Sequence, residues 1–98
     1  MNGVAAPLVT PFTDDGDVDE PALRELVGWL EARGIDFLVP CGSTSEAELL
    51  TADERTRVIE TVVEAASVPV LAGTGSPGYR ETRRATAAAT DAGADAAL

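Results

Sequence analysis

The sequence predicts an α/β protein built on a parallel sheet. Short apolar runs of β type at 4–9, 35–40 and 68–72, with a fourth at 94–98, alternate with segments of helical length and helical periodicity. The alternation repeats about every 30 residues, the length of a βαβ unit. The first three apolar runs end in small or hydroxyl residues, as buried strands do where they open into polar loops.

The first helix is expected to start at Asp19, an N-cap, with Pro21 near the start, where a missing N–H costs little. Leu23, Leu26, Val27 and Leu30 follow at i, i+3, i+4, i+7, and Gly34 ends the helix. In the second, Thr51 and Glu54 have capping-box spacing and Val58, Ile59, Val62 and Val63 make the buried face. The third opens at Ser76-Pro77-Gly78-Tyr79 and ends at Gly93. Its stripe is Ala85, Ala88, Ala89 and Ala92, small residues that imply close helix approach. Gly34-Ile35-Asp36 and Gly93-Ala94-Asp95 repeat a Gly-x-Asp pattern at helix-to-strand junctions, read here as helix C-cap chemistry. Thr13-Asp14-Asp15-Gly16-Asp17 is a turn.

Ninety-eight residues suffice for one small domain. Three βα units and part of a fourth strand nevertheless leave both sheet edges open and the apolar faces half covered. The expectation is the N-terminal piece of a longer protein. Seventeen acids against seven bases give a net charge of −10, which argues against a nucleic-acid partner. All seven bases are arginine and there is no lysine. This composition resembles that of proteins from salt-loving archaea, whose surfaces stay soluble where salt screens self-repulsion; a merely acidic protein from a GC-rich genome has the same look. There is no membrane-length apolar segment and no basic leader, so the expected location is the cytoplasm. One cysteine, Cys41, excludes an internal disulfide, and without histidine it cannot build a zinc site.

Three strand ends carry candidate chemistry: Thr10-Pro11-Phe12, Gly42-Ser43-Thr44-Ser45-Glu46 and Gly73-Thr74-Gly75. In a parallel sheet they share one rim. Ser43 and Thr44 can bind a small carboxylate or relay a proton, because a hydroxyl both donates and accepts. They can equally serve local turns and caps. Gly73 and Gly75 suit a close backbone approach. Glu46 is either a base or an acid near a helix start. Cys41 has no histidine partner and reads as buried filler. Tyr79, Arg83 and Arg84 read as a solvated helix face.

The run Gly3-Val4-Ala5-Ala6-Pro7-Leu8-Val9-Thr10-Pro11-Phe12 is followed in order by Asp17-Val18-Asp19, Gly42-Ser43-Thr44-Ser45-Glu46, Leu50-Thr51-Ala52-Asp53-Glu54-Arg55, Val68-Pro69-Val70-Leu71-Ala72-Gly73-Thr74-Gly75 and Gly93-Ala94-Asp95. Together these resemble the N-terminal third of the dihydrodipicolinate synthase and N-acetylneuraminate lyase family. The resemblance implies the first three βα units and the start of the fourth strand of a (β/α)8 TIM barrel. It also implies a lysine-dependent lyase or synthase, usually a tetramer or dimer, that binds pyruvate as a Schiff base, acts on an aldehyde and needs no cofactor or metal.

By that resemblance Thr44 binds the pyruvate carboxylate through its hydroxyl and backbone N–H, with Gly42 and Ser45 completing the loop, and Ser43 takes the proton-relay position. The chain departs from the family at Ser45, where a glycine is usual; if that glycine has φ > 0, serine is strained there. The implied reaction is condensation of pyruvate with aspartate semialdehyde toward lysine. A 2-keto-3-deoxy sugar acid aldolase and an N-acetylneuraminate lyase-like enzyme share the chemistry, and a non-catalytic acid-binding module is the alternative of another class. The Schiff-base lysine and its partner tyrosine are expected beyond Leu98, so these 98 residues alone are expected to be inactive.

Overall fold

The computed structural model describes residues 2–98. Its elements run β1 (Ala5–Pro7), α1 (Glu20–Ala32), β2 (Phe37–Val39), α2 (Ala52–Ala65), β3 (Leu71–Ala72), α3 (Tyr79–Asp91) and β4 (Ala96–Ala97), with two 3₁₀ turns, Ser43–Ser45 and Ala47–Leu49, between β2 and α2. β1 pairs with β2 and β3 with β4, both parallel, in the registers Ala5↔Phe37 and Leu71↔Ala96. A parallel bridge, Leu38↔Val70, joins the two pairs, so the strands lie in the order 1-2-3-4. The strands are shorter than the apolar runs. Pro69 brings no N–H to the start of β3, and Cys41 leaves the extended region just after β2.

The helix boundaries follow their caps. Asp19 accepts from Ala22 N at 3.0 Å, and Gly34 (φ 84°) follows the C-cap residue Arg33. Both halves of the Thr51–Glu54 capping box form, at 3.1 and 2.8 Å. α3 has no side-chain cap, and its C-terminal Gly93 (φ 100°) lies so close to α2 that a Cβ would come within 3.1 Å of Val63. Leu23 and Val27 of α1, Val58, Ile59 and Val62 of α2 and Ala89 of α3 pack on Ala6, Leu8, Leu38, Val70 and Ala72 of the sheet. Burial of each leucine or valine is worth about 1.5–3 kcal/mol. In the alanine stripe of α3 only Ala89 is fully buried. α1 and α2 are also tied by ion pairs, Arg57 to Glu20 at 2.6 Å and Arg24 to Glu64 at 2.5 Å. Its hydrogen bond to Arg57 holds the Glu20 carboxyl below the usual carboxylate range.

The Gly-x-Asp repeat does more than cap helices. Asp36 Oδ2 accepts from Val4 N at 2.7 Å while Asp36 N donates to Val4 O at 3.0 Å. Asp95 forms the same reciprocal pair with Val70, at 2.8 and 2.9 Å. At the start of β3, Glu31 Oε2 accepts from Ser67 N at 2.7 Å and Val68 N at 3.1 Å. Acids thus fasten the bottoms of strands, opposite the rim that carries the hydroxyl loop.

Candidate active site

Sequence places hydroxyls at the end of β2; folding decides which of them face solvent. Ser43 and Thr44 are exposed, whereas Ser45 is 1% exposed. The loop Gly42–Glu46 is bracketed by two left-handed residues, Cys41 (φ 60°) and Glu46 (φ 58°). Such conformations are uncommon for residues other than glycine. Ser45 is not one of them: the strain expected if this position required φ > 0 does not arise, and the positive φ is found at Glu46, the next residue, and at Cys41, ahead of the loop. Glu46 serves as the hinge between the two 3₁₀ turns, ending one and starting the next. Within the first turn, Ser45 N donates to Gly42 O and Glu46 N to Ser43 O, both at 3.1 Å. These bonds use the N–H groups of Ser45 and Glu46, not those of Ser43 and Thr44.

The three strand ends come together. The Thr10 hydroxyl donates to Ser45 O at 2.8 Å, and the Ser45 hydroxyl donates to Leu8 O. From the other side, Gly73 N donates to Pro40 O at 2.8 Å. A Cβ on residue 73 would sit 2.0 Å from the Cys41 carbonyl oxygen, so only glycine fits. Thr74 takes a different direction. Its N–H donates to Leu98 O at 3.1 Å and its hydroxyl accepts from Thr86 at 3.0 Å, tying β3 to β4 and α3.

Cys41 is buried with its thiol directed to Arg55 O at 3.6 Å, and burial pushes its pKa up to about 11. A thiol held neutral is a poor nucleophile. Tyr79 and Arg83 lie on an exposed face, and Arg84 pairs with Glu81 at 3.2 Å. Among the described residues no group of three His, Cys, Asp or Glu side chains is placed to hold a metal ion, and no helix is long and apolar enough to cross a membrane. The two left-handed residues and the 3₁₀ turns carry no signal in the sequence. A cleft of about 620 Å³ opens between α2, α3 and the 47–50 segment, and Ser43 and Thr44 are not among its lining residues.

The arrangement is therefore a hydrogen-bonded turn that holds two exposed hydroxyls at the C-terminal rim of a parallel sheet. The sequence profile of the Dihydrodipicolinate synthetase family matches residues 1–98. This chain belongs to that family. It is 49% identical over 98 residues to the 4-hydroxy-tetrahydrodipicolinate synthase of Methanothrix thermoacetophila, covering 100% of the chain and 33% of that relative. Among the solved structures on which the chain superposes closely are two enzymes. One is the chloride-inhibited dihydrodipicolinate synthase of Acinetobacter baumannii complexed with pyruvate, with TM-score 0.94, 42% identity, and coverage of 98% of this chain and 34% of that one. The other is the 2-keto 3-deoxygluconate aldolase of Picrophilus torridus, with TM-score 0.92, 33% identity, and coverage of 97% and 35%. The parallel α/β fold thus matches the TIM-barrel structures of dihydrodipicolinate synthases. The chain spans about a third of the length of the relatives it matches.

Proposed function

We propose that this chain forms the first three βα units and the start of the fourth strand of a (β/α)8 barrel, and that its Gly42–Glu46 loop is the carboxylate-binding half of a Schiff-base active site. The whole protein is a dihydrodipicolinate synthase, condensing pyruvate with aspartate semialdehyde. The observation that carries this reading is the exposed Ser43–Thr44 pair, held at the strand-end rim of a chain matched along its length by the family.

In this reading a lysine amine from elsewhere in the protein adds to C2 of pyruvate and water leaves, giving a protonated imine. Loss of a C3 proton gives an enamine, whose C3 attacks the aldehyde carbon. The Thr44 hydroxyl and N–H hold the carboxylate so that C2 faces the amine, an alignment that can be worth ~7–11 kcal/mol in favourable cases. Ser43 relays the proton, a role worth roughly 10²–10⁴-fold. Gly42 lets the backbone approach, and Ser45 contributes from behind the turn, since its hydroxyl is committed to Leu8. The assembled enzyme is a cytoplasmic homotetramer or dimer.

Borohydride reduction with pyruvate tests the chemistry. The complete gene product should form a covalent adduct, and the 98-residue chain, which has no lysine, should form none. A pyruvate adduct on the short chain anywhere but at its α-amino group would refute the assignment. Thr44→Val in the complete protein should raise the pyruvate concentration needed for half-maximal trapping by roughly 10–100-fold, the worth of a hydrogen bond to a charged group. The likeness to the Picrophilus aldolase favours a second reading, turnover of a 2-keto-3-deoxy sugar acid. Comparing aspartate semialdehyde with 2-keto-3-deoxygluconate as substrates separates the two. Reversible pyruvate binding without an adduct would instead indicate a non-catalytic binding module.

A further inference from the structure

Ser43 and Thr44 make no side-chain hydrogen bond among the described residues, so the placement of their hydroxyls depends on what holds the turn. Behind the turn lies a buried cross-brace. Ser45 donates its hydroxyl to the Leu8 carbonyl just past β1, and Thr10, two residues on, returns a hydrogen bond to the Ser45 carbonyl at 2.8 Å. Both residues are almost fully buried, Thr10 at 6% and Ser45 at 1% exposed. Both bonds converge on the residue directly after Thr44. A glycine, the usual residue at this position by the resemblance drawn from sequence, could accept from Thr10 but could not reach Leu8.

We propose that Ser45 and Thr10 are positioning residues: their paired hydrogen bonds lock the Ser43–Thr44 turn to the end of β1 and thereby set its affinity for the keto-acid carboxylate. The proposal rests on the site reading above. A turn tied down at Ser45 by two bonds presents its hydroxyls in fewer arrangements before the ligand arrives, so less order must be gained on binding. Small displacements of such groups have large consequences for orientation-dependent steps. If the brace served stability alone, its loss would lower the melting temperature and leave the response to pyruvate unchanged.

The test uses the complete gene product with Ser45→Ala, Thr10→Val, Thr10→Ser and Thr44→Val, assayed where each variant remains folded. Half-saturating pyruvate for borohydride trapping and the maximal trapping rate are measured separately, with melting temperatures in parallel. Ser45→Ala and Thr10→Val should raise half-saturating pyruvate by roughly 3–10-fold, the scale of one neutral hydrogen bond. Thr10→Ser, which keeps the hydroxyl, should stay within about twofold of the parent. If Thr44→Val weakens pyruvate while Ser45→Ala and Thr10→Val do not, the positioning role is overturned and the site reading stands. If Thr44→Val has no effect either, the site reading fails and the positioning role falls with it. Should Ser45→Ala not fold, the contrast between Thr10→Val and Thr10→Ser decides by itself: equal half-saturation in the two overturns the proposal.

Discussion

Cys41 shows how one residue can be chosen for space and conformation while its chemistry is suppressed. Its backbone is left-handed, its side chain fills the core, and its thiol titrates near 11 instead of 9.0 because burial opposes the thiolate. The raised pKa has a sign that can be followed. Between about 9 and 11 the unfolded chain has released the proton and the folded one retains it, so rising pH favours unfolding in that window. The slope reaches at most about 1.4 kcal/mol per pH unit for one group. Urea midpoints of the complete protein should therefore fall more steeply from pH 8.5 to 10.5 in the parent than in Cys41→Ala. Parallel pH profiles for the two proteins would contradict the assignment. The lone cysteine and its lack of a histidine partner were plain in the sequence; the left-handed backbone was not, because β-type flanks on its N-terminal side predict extended geometry.

At the scale of elements, the strands are held at their lower ends by carboxylates and at their upper ends by close backbone contacts. Asp36 and Asp95 form the same reciprocal pair with Val4 and Val70. Asp36→Ala and Asp95→Ala should each cost about 1 kcal/mol, and their effects should add, because the two pairs share no partner. A double variant whose unfolding free energy departs from additivity by more than about 0.5 kcal/mol would show the clasps to be coupled. This feature also marks how far the sequence could be read. Asp19, Thr51, Glu54, Gly34 and Gly93 announce the helix ends because caps are local chemistry, decided within four residues. Gly-x-Asp was visible as a repeat, yet the partner of each aspartate is the residue just ahead of a strand, 32 positions away for Asp36 and 25 for Asp95. The candidate site divides the same way. That the Gly42–Glu46 loop holds the interesting hydroxyls was legible; that Ser43 and Thr44 face outward while Ser45 faces β1 depends on neighbouring strand ends and left no local trace.

For the whole molecule, the acidity has two separable parts. Asp19, Glu20, Glu31, Asp36, Glu54, Glu64, Glu81 and Asp95 have partners in caps, clasps and ion pairs. These bonds leave the net charge of the chain at −10, spread over an acidic surface. Mutual repulsion across that surface is reduced when added salt brings the screening length down from about 10 Å at 0.1 M to about 3 Å at 1 M. If the surface is suited to high salt, the melting temperature of the complete protein should climb between 0.1 and 2 M KCl. A flat or falling profile would assign the acidity to composition alone.

The braces around Gly42–Glu46 also govern when the site can exist. Two of them join residues 35 and 37 positions apart, and a third needs Gly73 against the Cys41 carbonyl. During synthesis the hydroxyl loop leaves the ribosome well before Gly73 does, and until β3 docks nothing presses on its entry. A synthetic peptide of residues 40–47 would carry every hydroxyl of the loop and none of its shape.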